Sequence, residues 1–165
     1  MDTRIAKTKH VTGYNRGVPE KIAVVELVWD DLSIAPDQWL KSDEAQAFRL
    51  MFEAALLDGL VLRVNSAWRS FEHQERLYKD YERKLAWWLD HPASTRGARP
   101  LSPARPGRSN HHNGIAVDIQ RSHGQDADGD GVNDIDQWLA ANAERFGFFR
   151  TVQKELWHWE YRPKA

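Results

Sequence analysis

The stretch Ser109-Asn110-His111-His112-Asn113-Gly114-Ile115-Ala116-Val117-Asp118-Ile119 restricts this chain more than any other. Ile115, Val117 and Ile119 alternate at the period of a β-strand, which sets Asp118 inside an otherwise apolar segment. A carboxylate there is costly unless the fold brings it a cation or a donor. Asn113-Gly114 is a turn signal. With His111 before the turn and Asp118 on the strand, the two converge on one ion, and Ala116 provides the small side chain such crowding needs.

The chain has no cysteine, so any metal must sit on His, Asp and Glu, and neither a disulfide nor a thiolate nucleophile is available. His158 is the natural third ligand, because it lies between Trp157 and Trp159 in a strand candidate where an unpartnered ring would be expensive. A His111, Asp118, His158 set leaves one tetrahedral position open, the layout of a catalytic zinc. His112 is an alternative ligand on sequence grounds, or a group that supports the ligands, or a surface residue. Glu155 is the candidate general base. Residues three apart on a strand face opposite ways, so Glu155 and His158 share a site only if Glu155 sits in a turn or bulge before the strand. Arg69, between a strand and a helix start, is placed to stabilise an oxyanion.

Along the chain, residues 1–20 read as a loosely tied polar arm, Ile22–Trp29 as a strand, and Ser33–Asp37 as a turn through Pro36. A helix begins at a capping box of Asp43 and Gln46, carries Phe48, Met51, Phe52, Ala55 and Leu56, and stops at Gly59. Leu60, Leu62 and Val64 predict a strand leading to Arg69. Ser70 caps a second helix whose stripe is Leu77, Tyr78, Tyr81, Leu85 and Trp88. Residues 91–110 hold four of the seven prolines and also Arg96, Arg99, Arg105 and Arg108, a long loop that reads as a basic lip. A third helix capped by Asp134 and Gln137 ends at Gly147, and two closing strands cover Phe148–Val152 and Leu156–Tyr161. Interspersed helices and strands without βαβ repetition predict an α+β fold, a small and mostly antiparallel sheet with flanking helices, in a single domain spanning 1–165.

The motif Ser109-x-His111-x-x-Gly114-x-Ala116-x-Asp118, followed by Glu155-x-Trp157-His158, resembles the signature of the VanY/VanX-type zinc D-alanyl-D-alanine peptidases. That group also includes lysostaphin-like enzymes and the hedgehog signalling domain. Ser66-Ala67-Trp68-Arg69-Ser70-x-x-x-Gln74 resembles the family's Ser-Gly-Tyr-Arg-Ser-x-x-x-Gln segment, and the likeness runs from about residue 43 to 162. The resemblance implies a LAS/hedgehog-like fold, His111, Asp118 and His158 as zinc ligands, Glu155 as base and Arg69 as stabiliser of substrate and transition state. It implies Ser109 and Gln74 at the substrate, with Trp68 and Trp157 beside them. Ala67-Trp68 replaces Gly-Tyr, a departure that bears on substrate fit.

The implied function is hydrolysis of a peptidoglycan stem-peptide amide through metal-activated water, most simply as a D-Ala-D-Ala carboxypeptidase. The alternatives are an L-Ala-D-Glu or cross-bridge endopeptidase acting as a phage endolysin, and a non-catalytic zinc- and calcium-stabilised wall-binding module. A second motif, Asp126, Asp128, Asp130, Val132 and Asp134 with Gly131 at the sixth position, has calcium-loop spacing within residues 126–137, although Gln137 stands where the bidentate Glu belongs. The formal net charge of −1 gives no footprint for nucleic acid. The N-terminal residues lack the apolar core of a signal peptide and no stretch reaches the ~20 apolar residues of a span, so the expectation is a monomeric protein without membrane insertion that meets the cell wall.

Overall fold

A computed structural model describes residues 6–27, 37–120 and 133–163. The chain opens with a hairpin of β1 (Thr8–Asn15) and β2 (Val18–Glu26), paired antiparallel with Asn15 opposite Val18. The two residues between them, Arg16 and Gly17, have φ of 51° and 90°, the positive angles of a type I′ turn. The polar arm expected over residues 1–20 is therefore a β-ribbon in its described part. Its side chains alternate with period two, but only one face finds cover, so the composition looks like that of a loop. The predicted strand at Ile22 starts earlier, at Val18; residues 28–36, including most of the turn through Pro36, lie outside the described residues. β3 (Trp39–Leu40) adds to the edge of β2 and completes a three-stranded sheet.

α1 (Ser42–Leu57) buries Phe48, Met51, Phe52 and Ala55 at the predicted spacing, while Leu56, expected on the same face, is exposed. Its N-cap is Lys41 with no side-chain cap bond, so the Asp43–Gln46 capping box does not form; Gly59, at φ 79°, ends the helix as expected. β4 is only Val64–Ser66, because Leu60 and Leu62 precede it in irregular backbone. α2 (Phe71–Asp90) starts at Ser70, whose hydroxyl accepts from the His73 N–H. The predicted apolar stripe of α2 is at most half-buried, and the one buried residue of the helix is Gln74. This helix lies against the 91–110 loop rather than the core.

β5 (Ala116–Ile119) is central in a four-stranded sheet of order β4-β5-β7-β6, with β6 at Phe148–Phe149 and β7 at His158–Tyr161. Every described strand pair is antiparallel. The expected small antiparallel sheet with flanking helices is thus two sheets. α3 (Asp134–Asn142) is capped by Asn133, whose Oδ1 accepts from Ile135 and Asp136, and not by Asp134. Asn133 meets the helix one residue earlier with the same acceptor geometry. The main core joins α1, α3 and the inner face of the second sheet through Phe48, Met51, Leu62, Val117, Ile119, Leu139 and Phe148; Ile22, Val24 and Trp39 form a smaller cluster under the hairpin. Among the described residues no helix is long and apolar enough to cross a membrane.

Candidate metal centre and active site

Register builds the site. Asp118 on the central strand pairs directly with His158 on β7, so both side chains project from one face as cross-strand neighbours. His111 arrives from a 3-10 turn, Asn110–Asn113, that ends at Gly114 with φ 63°. A Cβ at Gly114 would lie 3.2 Å from both the Lys41 nitrogen and Val24, so the Asn-Gly turn is required for the ligand loop to approach the first sheet.

Nε2 of His111, Oδ1 of Asp118 and Nδ1 of His158 form a triangle with edges of 3.2, 3.0 and 3.2 Å. Ligands at zinc distances around a tetrahedral ion stand about 3.3 Å apart, so the triangle matches one face of such a shell. The outer nitrogens are also fixed. Nδ1–H of His111 donates to the Ala67 carbonyl at 2.7 Å and Nε2–H of His158 donates to Oε1 of Glu160 at 3.0 Å. Each bond turns the other nitrogen inward as a lone-pair donor. The residues present therefore fit a zinc ion.

Without a metal the same groups satisfy one another. Burial would raise Asp118, but hydrogen bonds from His111 and His158 outweigh it and hold its carboxyl well below the ordinary range. Burial would lower His158, yet Asp118 and Glu160 push it up to about 9. Glu160 is drawn down against its burial to about 2 by His158 and by Asn110, whose amide donates at 2.9 Å.

His112 is fully buried and both ring nitrogens are occupied. Nδ1–H donates to the Arg69 carbonyl at 2.7 Å and Nε2 accepts from the Gly107 N–H at 3.1 Å. It is not a ligand in this geometry. It ties the 91–110 loop to the backbone of Arg69, with its ring against Tyr14 and Phe71. Arg69 Nη1 donates to Gln74 at 2.8 Å, and Nη2 donates to Ser66 at 2.8 Å and to Asp118 at 3.2 Å.

A cavity of about 480 Å³ opens over the three ligand atoms and is lined by Arg69, Gln74, Arg108, Ser109, Glu155 and Trp157 among others. Glu155 lies in the turn before β7, with its N–H bonded to the Val152 carbonyl, which supplies the expected break between base and ligand. Gln74 lines the cavity, but its amide spans Arg69 and the Ala104 carbonyl, so it holds the arginine and the loop together. Ser109 accepts from the His111 N–H and caps the ligand turn. Trp68 does not line the cavity; it packs on the Ile22, Val24 and Trp39 cluster with Lys9 over its ring, because its backbone bonds to Trp39 and turns the indole toward the first sheet. Of the basic loop only Arg108 reaches the cavity, while Arg96 and Arg99 cover Trp88 and Arg105 faces Tyr78.

Glu160 was not singled out from the sequence. Glu160 had a detectable signal, since it lies two residues from His158 and so on the same strand face. Asp126, Asp128, Asp130 and Val132 lie outside the described residues, and Asp134 begins α3.

The chain matches a family model described as VanY, D-alanyl-D-alanine carboxypeptidase, over residues 37–164. It is similar to the putative carboxypeptidase YodJ of Bacillus subtilis, 29% identical over 133 residues that cover 76% of this chain and 45% of that protein. It is also similar to a D-alanyl-D-alanine carboxypeptidase of Enterococcus faecalis, 32% identical over 127 residues covering 67% of this chain and 44% of that one. The chain thus spans less than half the length of these relatives. Among solved structures it resembles VanYB in complex with D-alanine-D-alanine, with a TM-score of 0.56, 25% identity, and coverage of 81% of this chain and 80% of that chain. A vancomycin-resistance D,D-pentapeptidase VanY in complex with Zn(II), at 24% identity and a TM-score of 0.57, shares the fold over 81% of this chain and 82% of that one. With the family model covering more than half of its length, and Arg69, His111, Asp118, Glu155 and His158 lining one cavity, the chain belongs to the VanY D-alanyl-D-alanine carboxypeptidase family.

Proposed function

We propose that this chain is a zinc peptidase that removes the terminal D-alanine from peptidoglycan stem peptides. The observation that carries the reading is the triangle of His111, Asp118 and His158 under a cavity that also holds Glu155 and Arg69. The chemistry a zinc ion supplies when bound is Lewis-acid polarisation of the scissile carbonyl and acidification of water. Glu155 takes a proton from the attacking water as the carbon–oxygen bond forms, then delivers it to the amine as the carbon–nitrogen bond breaks. Arg69 is oriented by Gln74, Ser66 and Asp118, so its charge is held in place before the oxyanion develops. Ser109, Arg108 and Trp157 lie along the wall where the terminal carboxylate and the peptide would rest.

The spacing of Asp126, Asp128, Asp130, Val132 and Asp134 supports calcium as a further cofactor on sequence grounds alone. Elemental analysis of protein dialysed against a calcium-selective chelator tests that.

Purified protein incubated with a stem pentapeptide, followed by mass spectrometry, is expected to release free D-alanine. Glu155→Ala should retain zinc and abolish release. New amino termini on digested sacculi, without free D-alanine, would replace this reading with endopeptidase action. Undiminished turnover by Glu155→Ala would defeat the assignment of the base.

A further inference from the structure

A second cavity, about 570 Å³, lies at the far end of α2 and is lined by Arg83, Lys84, Trp87, Trp88, Ala98 and Pro100. Its aromatic floor is prebuilt. Trp88 Nε1–H donates to the Gly97 carbonyl at 2.9 Å, Arg96 returns a bond to the Trp88 carbonyl at 3.0 Å, and the Arg96 guanidinium sits 3.6 Å from the centre of the Trp88 ring. Trp87 is 51% exposed and its indole is stacked on His91, 4.1 Å between centroids, with the His91 ring bonded to the Trp87 carbonyl. A large aromatic left half in water, yet fixed in orientation, spends little entropy on meeting a ligand.

We propose that this cavity is a carbohydrate subsite that stacks a hexosamine ring of the glycan strand on Trp87 while the attached stem peptide reaches the metal centre. The inference rests on the peptidase reading for the identity of the polymer. Three observations select this occupant. The two cavities are neighbours along the loop, since Pro100 lines one and Leu101 the other. Trp87 follows Gln74 by thirteen residues along α2, about 20 Å at the helical rise. An extended pentapeptide spans about 17 Å and the ether-linked acyl group that joins it to the sugar covers the remaining few ångströms, so a sugar at Trp87 and a peptide terminus near Gln74 fit one ligand. Arg96 and Arg99 beside Trp88 complement the carboxylates that such a peptide carries.

The test compares the free pentapeptide with the same pentapeptide carried on a disaccharide of N-acetylglucosamine and N-acetylmuramic acid. The wild-type protein should show a lower KM for the disaccharide form. Trp87→Ala should raise that KM roughly tenfold and leave kcat and the free-peptide kinetics unchanged. The peptide-free disaccharide should bind wild type and not Trp87→Ala, read by ligand-observed NMR. Equal kinetics on both substrates with no disaccharide binding would overturn the subsite while D-alanine release still stands. Trp87-dependent disaccharide binding without hydrolysis of either peptide would uphold the subsite and remove the peptidase reading. Wall retention that is abolished by salt and indifferent to Trp87→Ala would point to an anionic polymer and overturn the carbohydrate assignment.

Discussion

At the scale of single residues, the two adjacent histidines have different tasks, and hydrogen-bond accounting separates them. His111 has one nitrogen on a carbonyl and one turned to Asp118 and His158; His112 has both nitrogens committed to backbone. His111→Ala should therefore lose zinc, measured by elemental analysis. His112→Ala should keep stoichiometric zinc but lower kcat, because the Arg69 carbonyl and the Gly107 N–H lose their common partner. Glu160→Gln removes the anionic acceptor that orients His158. Zinc affinity should fall about 10- to 100-fold, by competition with a chelating dye, since partners behind a ligand set its tautomer and basicity. The motif spacing favoured His111 over His112 in the sequence, but the hydrogen-bond partners that occupy both nitrogens of His112 were not legible there, where both are imidazoles before the same turn. Spacing defines a motif, but the carbonyls of Ala67 and Arg69, more than 40 residues away, fix which nitrogen of each ring carries the proton.

Among the elements, boundaries set by glycine and by burial could be read directly, while those set by pairing could not. Gly147 was recognised as a stop, and the structure adds why it cannot be replaced: φ is 84° and a Cβ would sit 2.7 Å from the Tyr161 ring of β7. Gly147→Ala is expected to cost about 1–3 kcal/mol in urea unfolding, combining the left-handed backbone with a displaced strand. Glu44 lies buried in the first turn of α1, and burial pushes its carboxyl above the ordinary value. The folded state then binds a proton more tightly than the unfolded chain, so stability falls as pH rises from 4.5 through the folded value. Glu44→Gln should raise Tm at pH 7, and the gain should vanish below about pH 4. The N-terminal hairpin escaped sequence reading because its stabilising contacts are tertiary. The Tyr14 N–H donates to Asn113 at 2.7 Å, binding the ribbon to the ligand turn, and a polar two-residue turn with strands half in water looks like a loose arm when that partner is unknown.

For the whole molecule, the candidate metal centre is where the turn of His111 and two strands of the second sheet meet, while Arg69 leads into α2 and the hairpin braces that turn. A ligand that binds only this assembled state stabilises all of it together. Stripping zinc should lower Tm on the order of 10 °C, as about 4 kcal/mol of linkage at a thousandfold excess over Kd spreads over a chain of this size. Calorimetry with and without added zinc checks it, and an unchanged Tm would mean that the folded protein does not bind the ion. Read alone, the sequence determined the candidate donor set, the order of the motifs and the α+β class, because ligand chemistry and hydrophobic period are local properties of residue type and spacing. Tertiary structure alone decided the register that sets Asp118 opposite His158, the backbone partners that occupy both nitrogens of His112, and the turning of Trp68 away from the cavity. Those depend on which segments pair across a long stretch of chain, and a residue's type does not encode the direction from which its partner arrives.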